Sequence, residues 1–329
     1  MSTRFSSAVA VVIVVAAALL VAAHAGAQPS APAYPSRSVR FIVPFAPGGN
    51  TDMIARVLAA KLADSLGQPV VVENRPGAAT LVGAEFVARA APDGYTILLA
   101  TSTTLAINPH LYRTLPYHPL RDFAPISLVA RTPLVLVVHP SLPVKSVKDL
   151  VALARARPGQ LPYGTGGIGS QSFMTMQMLR AAAKFEAIEV PYKGSGPADI
   201  DLLGGQIVMM FQNTSLTYVQ AGRLRALAHT GERPMPQYPG VPSLVDLGYR
   251  QLVFYSWQGV VAPAKTPPEI ITRLNADLER AIRMNDVRER ITNDGAEMLG
   301  GSPAHFGEYI RAELTRFGQV IRDAGVKPE

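Results

Sequence analysis

Two stretches of this sequence share the same order of elements, a strand, a glycine-bearing loop and a helix, and that order restricts the chain to an α/β fold. The first stretch begins with the apolar run 39–43 and passes through such a loop into residues 51–66, where apolar residues recur with helical spacing. The second passes from a short strand at 161–163 through the loop 164–170 into another helix. Strands and helices alternate along the rest of the chain as well, which predicts mostly parallel sheets flanked by helices.

The predicted elements fall into two series, so we expect two lobes. A strand-like segment at 253–261 follows the second series and returns the chain to the first, where two amphipathic helices near the end of the sequence need an apolar surface. We therefore predict lobe I from residues 35–131 and 251–329, and lobe II from residues 132–250. Two lobes joined by more than one crossing segment form a hinge over a cleft, which is a common place for a ligand site.

The first residues of the sequence have the pattern of a secretory signal. Arg4 precedes the apolar stretch 8–23, and small residues follow up to Ala27. A membrane anchor is the alternative, but the stretch is shorter than the ~20 residues that a transmembrane helix needs. We predict a signal peptide at 1–27, cleaved near Ala27, a flexible leader at 28–34, and a periplasmic protein.

Composition and motif searches argue against several functions. Lys and Arg number 31 against 24 Asp and Glu, but they are scattered and form no basic run, so we expect no nucleic-acid partner. The chain has no cysteine, which excludes disulfides, thiolate metal sites and a cysteine nucleophile. Its six histidines have no metal-spaced or triad-like neighbours, and no HExxH or GxSxG string occurs. We predict no catalytic residue, no metal, no cofactor and a monomeric chain.

The two glycine-bearing loops are the predicted ligand site. Glycine lets the backbone approach a ligand closely, and the first N–H groups of the helix that follows have no partner within the helix, so an anion fits there. The alternative for the first loop is simple helix capping by its own polar side chains. For the polar residues at the ends of other strands, the alternative is strand capping. The residues predicted to contact the ligand are Phe45, Ala46, Pro47, Gly48, Gly49, Asn50, Thr51 and Asp52 in the first loop, Thr165, Gly166, Gly167, Gly169 and Ser170 in the second loop, and Thr103 and Gln212 at strand ends.

Two competing motifs are weaker. Residues 164–169 match the G-x-G-x-x-G pattern of dinucleotide sites, with Glu186 or Glu189 about twenty positions further on, but the preceding strand is short and contains Pro162. Ser195 lies between two glycines, but it lacks the spacing of a nucleophile elbow, and a tight turn is the expected role.

A series of short motifs in the same order resembles one family, the substrate-binding receptors of tripartite tricarboxylate transporters, also called Bug receptors. The resemblance covers nearly the whole chain after the predicted signal peptide. The matching motifs are Val43-Pro44-Phe45, Gly48-Gly49-Asn50-Thr51-Asp52, Glu73-Asn74-Arg75-Pro76-Gly77, Ala91-Pro92-Asp93-Gly94-Tyr95, Val190-Pro191-Tyr192-Lys193-Gly194 and Leu203-Gly204-Gly205-Gln206.

The resemblance implies a periplasmic-binding-protein fold of the two-lobed, type II-like "Venus flytrap" kind, which closes on a small carboxylate and then docks on a membrane permease. It also implies that residues 46–52 and 165–170 hold the ligand carboxylate. Many relatives carry an aspartate where this chain has Gln212, which argues against an amino-acid ligand here. A ligand-sensing receptor for a signalling partner and a secreted enzyme stay open as alternatives, and so do dicarboxylates, tricarboxylates and aromatic acids as ligands.

Overall fold

The computed structural model describes residues 34–326, except 193, 214 and 294, together with residue 328. The predicted signal peptide and all but the last residue of the predicted leader lie outside the described residues. Within the described residues, no helix combines the length and the apolar character that a membrane span requires.

The chain alternates strands and helices, as the sequence predicts. The strands are β1 (Val39–Val43), β2 (Val70–Asn74), β3 (Thr96–Thr101), β4 (Phe123–Pro133), β5 (Val135–Val138), β6 (Pro162–Thr165), β7 (Ile188–Pro191), β8 (Met209–Gln212), β9 (Arg225–His229), β10 (Tyr255–Pro263) and β11 (Glu297–Met298). The α-helices are α1 (Asn50–Leu66), α2 (Leu81–Ala88), α3 (Asn108–Leu111), α4 (Val147–Ala156), α5 (Gln171–Ala183), α6 (Ser195–Leu203), α7 (Leu216–Gln220), α8 (Pro268–Arg283), α9 (Asn285–Thr292) and α10 (Pro303–Asp323).

These strands form two sheets. Sheet A has the order β11-β4-β10-β3-β1-β2, and sheet B has the order β7-β6-β8-β5-β9. In sheet A, β2 and β3 pair parallel to β1, while β10 is antiparallel to both β3 and β4. In sheet B, β6 is parallel to β7 and β8, while β5 is antiparallel to β8 and β9.

The two-lobed α/β fold with sheets flanked by helices is confirmed, but both sheets are mixed: most strands of each sheet run in one direction, while five of the nine strand pairings among the described residues are antiparallel. The reversed strands β5 and β10 are the strands by which the chain enters one sheet directly from the other. A strand that enters from the neighbouring sheet begins at the edge where the parallel strands end, so it runs the opposite way. The short strand β11, at the edge of sheet A, is also reversed.

The two segments that connect the sheets are hydrogen-bonded to each other. β4 ends at Pro133 and β5 begins at Val135, so Leu134 alone separates them. The buried hydroxyl of Thr230 accepts a bond from the Leu134 N–H at 2.8 Å and donates to the Phe254 carbonyl at 2.5 Å. The Thr230 N–H also donates to the Leu134 carbonyl at 2.9 Å. Thr230 therefore joins both connections at one point.

Helices cover both faces of sheet A. Trp257 of β10 packs edge-on against Phe306 and Tyr309 of α10, and its Nε1 donates to Glu313 at 2.9 Å. On the other face, Ser127 of β4 donates to Glu279 of α8 at 2.9 Å, and α8 packs on α1. The amphipathic helices near the end of the sequence thus lie on the first sheet, where the apolar stripe of α10 is buried.

Candidate ligand-binding site

The first predicted loop leaves the amino end of α1 open. Gly49 precedes the helix with extended backbone angles (φ −85°, ψ 173°), and no side chain caps the helix. The side-chain capping considered as an alternative is therefore absent at this helix. A Cβ atom built on Gly49 would meet no atom within 4 Å, so there is free space in front of the first turn. Unbonded first-turn N–H groups and the positive end of the helix make this space suitable for an anion.

The Asp52 side chain forms hydrogen bonds within and beside this loop, and it does not face the open space in front of α1. Its buried carboxylate accepts hydrogen bonds from the Gly48 N–H at 3.0 Å, Arg56 Nε at 2.9 Å and Asn74 Nδ2 at 2.9 Å. Burial by itself raises the pKa of Asp52, but these three donors outweigh it and lower that pKa below its ordinary value. The charge of Asp52 is thus neutralised within the loop, where it does not oppose an anion.

The second loop has the equivalent place in sheet B, between β6 and α5, but more of its backbone N–H groups are already bonded to neighbouring side chains. The Gly166 N–H donates to Ser172 Oγ at 3.0 Å, and the Gly167 N–H donates to Thr165 Oγ1 at 3.1 Å. Ser170 caps α5 by accepting from the Phe173 N–H at 3.2 Å. Of the predicted contacts in this loop, the amides of Gly166 and Gly167 are therefore already engaged.

The second loop contacts the segment that follows β3 in sheet A. Gln171, the first residue of α5, donates from Nε2 to Ser102 Oγ at 3.1 Å. A Cβ atom built on Gly169 would lie 3.2 Å from Asn108 Oδ1 and 3.1 Å from Leu111 Cδ1. The structure thus brings the second loop against the first sheet, with the carboxyl ends of β3 and β6 facing each other.

The other predicted contacts are buried at strand ends. Gln212, the last residue of β8, is 3 % exposed, and both atoms of its side-chain amide lack a partner among the described residues. Strand capping by this side chain is therefore not observed. Thr103 is buried in a π-helical turn, Thr103–Ile107, directly after β3.

Sequence reasoning missed two polar residues near these strand ends. Thr132 of β4 and Gln258 of β10 are each 1 % exposed, and each has a side-chain oxygen without a partner among the described residues. A signal was available in the sequence, because a glutamine inside the continuous strand YSWQGVVAP is unusual for a strand buried along its whole length.

The competing motifs have structural roles that need no cofactor. The Gly164–Gly169 string does lie between a strand and a helix, but the nearby acid Glu189 accepts a bond from Thr165 Oγ1 at 2.7 Å. Ser195 opens α6 after Gly194, whose φ of +120° fits the predicted turn. In the part of the chain that the structure describes, no group of His, Asp and Glu side chains is arranged to hold a metal ion.

Comparison with known proteins decides the family. The model of the "Tripartite tricarboxylate transporter family receptor" matches residues 54–326. The chain belongs to this family of transporter receptors. Protein BugT of Bordetella pertussis is 40 % identical over 301 residues, which are 91 % of this chain and 92 % of BugT.

Solved structures agree with this assignment. A structure from R. palustris with adipate is 36 % identical, covers 90 % of this chain and 100 % of its own, and superposes with a TM-score of 0.86. MatC from Rhodopseudomonas palustris with bound malate is 31 % identical, covers 88 % of this chain and 100 % of its own, and has a TM-score of 0.83. The resemblance found in the sequence is thereby confirmed, and the chain is a solute-binding receptor of a transporter. The family is periplasmic, and its members are binding proteins.

Proposed function

We propose that this receptor closes its two lobes on a small carboxylate and delivers it to the membrane permease of a tripartite tricarboxylate transporter. The observation that carries the proposal is the open amino end of α1 at Gly49, with the α5 loop of the other sheet held against the same sheet by the Gln171–Ser102 bond. Adipate and malate, each present in a similar structure, are both carboxylates.

In this proposal the carboxylate lies between two helix amino ends. One oxygen accepts from the first-turn N–H groups of α1 beside Gly48 and Gly49, and the other faces the first turn of α5. The second loop offers fewer free N–H donors to the ligand, because the amides of Gly166 and Gly167 already donate to Ser172 and Thr165. No charged side chain is needed for this arrangement, since the backbone supplies the donors.

Gln212 favours a ligand without an ammonium group. Its side-chain amide is buried, uncharged and without a partner among the described residues, so it offers no countercharge to a cation. It can instead donate to an oxygen of the ligand. We infer that the ligand is a carboxylic acid, with dicarboxylates as the first class to test.

The closing motion requires two lobes and a hinge. We propose lobe I at 35–131 and 251–329 and lobe II at 132–250, since the β4–β5 junction and the start of β10 lie within a few residues of these boundaries. Ligand binds the closed arrangement better and shifts the population toward it, with no covalent chemistry. We further propose export of a monomer by a signal peptide cleaved near Ala27.

A thermal-shift screen of the protein from residue 28 onward tests this function. The panel contains succinate, malate, adipate, citrate, benzoate, nicotinate, aspartate and NAD. We expect at least one carboxylate to raise the Tm. At a ligand concentration one hundred times its Kd, binding adds ~2.7 kcal/mol to the free energy of unfolding. A response to NAD alone, or to none of the panel, overturns the proposal.

A pair of glycine variants locates the response. Gly49→Val places a side chain in the free space in front of α1, where its Cβ meets no atom within 4 Å, so it removes the thermal shift while the unliganded Tm changes little. Gly307→Ala on α10 is the control, because its added Cβ makes only ordinary contacts, the nearest at 3.7 Å from Pro125. A shift that persists in Gly49→Val places the ligand elsewhere.

A further inference from the structure

Three polar side chains form a patch in the middle of sheet A. Thr132 of β4 lies directly opposite Ser256 of β10, and Gln258 is two residues further along the same strand. Residues that are paired across antiparallel strands share a face, as do residues two apart on one strand. Thr132, Ser256 and Gln258 therefore form one surface, called the strand patch below.

The strand patch is buried but poorly satisfied. Thr132 Oγ1 and Gln258 Oε1 have no hydrogen-bond partner among the described residues, and Gln258 Nε2 reaches Ser256 Oγ only at 3.4 Å. Buried polar atoms are nearly always paired with protein, ordered water or ligand. Two unpaired oxygens on one face of neighbouring strands therefore indicate a position where another molecule binds.

The strand patch faces the same side of the sheet as α1. Trp257, between Ser256 and Gln258, points to α10 on the opposite face. Ser127 is paired with Val260, two residues beyond Gln258, and bonds to Glu279 of α8, so this is the α8 face of the sheet. Because α1 packs on α8, the strand patch and α1 share a face.

The strand patch also lies at the correct end of the sheet. Gln258 is opposite Thr101, the last residue of β3, and β3 is parallel to β1, whose carboxyl end leads into the first loop. Two strand spacings separate β10 from β1, which is about 10 Å at ~4.8 Å per spacing. A four- to six-carbon acid held at Gly49 spans that distance when the hydrogen bonds at both ends are included.

The strand patch carries no charge. Arg131, the residue before Thr132, points the other way, with its guanidinium 4.2 Å from the Tyr255 ring centre and 2.7 Å from Glu297. A hydroxyl and a carboxamide can each donate and accept, but they do not neutralise an anion. Such a surface favours an uncharged oxygen over a second carboxylate.

We propose that Thr132 and Gln258 are specificity-determining residues that bind a hydroxyl or carbonyl oxygen of the ligand, while the loops hold its carboxylate. The inference rests on the proposed function, because it assigns the second end of the same ligand. It predicts a preference for hydroxy or keto acids over the corresponding unsubstituted acids.

Pairs of acids that differ by one oxygen test this inference. The probes are 4-hydroxybutyrate against butyrate and 6-hydroxyhexanoate against hexanoate, titrated calorimetrically into wild type, Thr132→Val and Gln258→Met. We expect wild type to bind the hydroxylated member of at least one pair more tightly, and each variant to reduce that preference tenfold or more. The affinity for the unsubstituted acid should stay within about twofold.

The controls separate this inference from the proposed function. Thr132→Ser keeps the hydroxyl and should keep the preference, and Thr315→Val makes the same exchange at an exposed position on α10 and should change nothing. If both members of a pair bind and the preference is the same in all variants, or if both members weaken equally, the inference fails while the receptor proposal stands. If none of these acids binds wild type, the inference fails, and the receptor proposal fails with it only when no carboxylate of the thermal-shift panel binds either. If Gln258→Met does not fold, Thr132→Val and Thr132→Ser still decide.

Discussion

Gln171 of α5 and Ser102, which follows β3, join the two sheets across the cleft by a side-chain hydrogen bond of 3.1 Å. Thr230 joins the two connecting segments elsewhere, at the point where the chain crosses between the sheets. The Thr230 bonds lie within the crossing itself, so we expect them to persist when the lobes move. The Gln171–Ser102 bond requires contact between the two sheets, so we propose that it acts as a latch of the closed form.

Removing the latch should weaken ligand binding. Gln171→Ala loses a bond worth about 0.5–1.5 kcal/mol in the closed form, so we expect affinity to fall about two- to twelvefold by calorimetry. Ser102→Ala should have the same effect, and the double variant should lose no more than either single variant. Additive losses would show that the two side chains act separately.

Thr230→Val should destabilise the fold. The Leu134 N–H loses its acceptor and the Phe254 carbonyl loses its donor, both in a buried position. We expect the free energy of unfolding in urea to fall by about 2–3 kcal/mol. Thr315→Val, exposed on α10, should stay within about 0.5 kcal/mol of wild type. If Thr230→Val also stayed within about 0.5 kcal/mol of wild type, the role of Thr230 at the crossing would be contradicted.

Asp52→Asn should reveal an acid-dependent contribution to stability. The pKa of Asp52 is lowered in the folded protein because Arg56, the Gly48 N–H and Asn74 outweigh the effect of burial. Its carboxylate therefore stabilises the folded state above the unfolded pKa of ~3.9, and this is lost as pH falls through the folded value. We expect the variant to be less stable by about 1–2 kcal/mol at pH 7, with the difference shrinking below pH ~4. Urea titrations between pH 3 and 7 measure this, and a difference that grows toward low pH would contradict it.

Asp199 of α6 should give stability a pH dependence opposite to that from Asp52, with stability falling as pH rises. Burial raises the pKa of Asp199 to about 7, and its Oδ1 has no partner among the described residues. The folded state then holds a proton that the unfolded state has lost, so stability declines as pH rises from ~4 to about 7. Asp199→Asn should remove this decline and be more stable than wild type by about 2 kcal/mol at pH 8. Equal stability of the two proteins at pH 5 and pH 8 would refute this.

The sequence predicted the elements better than their directions. Helical spacing and the glycines placed the first helix at 51–66, against the observed α1 (Asn50–Leu66). The reversal of β5 and β10 was not predictable from their residues, because a strand that is buried on both faces shows the same kind of residue pattern whichever way it runs.

The same limit applies to the site. The two loops were found because glycine and helix-start signals are local in sequence. The strand patch was missed because Thr132 and Gln258 are 126 positions apart and meet only through the register of β4 with β10. Likewise, no local pattern showed that Ser172 and Thr165 would engage the amides of Gly166 and Gly167.

Hydrogen exchange measured by mass spectrometry tests the central claim, that both loops hold one ligand. The carboxylate with the largest thermal shift is titrated in, and exchange is followed in peptides covering residues 44–53 and 165–173, with a peptide from α8 as the internal control. We predict that exchange slows in both loops with the same concentration midpoint, while the α8 peptide is unchanged. Protection confined to one loop, or absent from both while the Tm rises, would contradict the account.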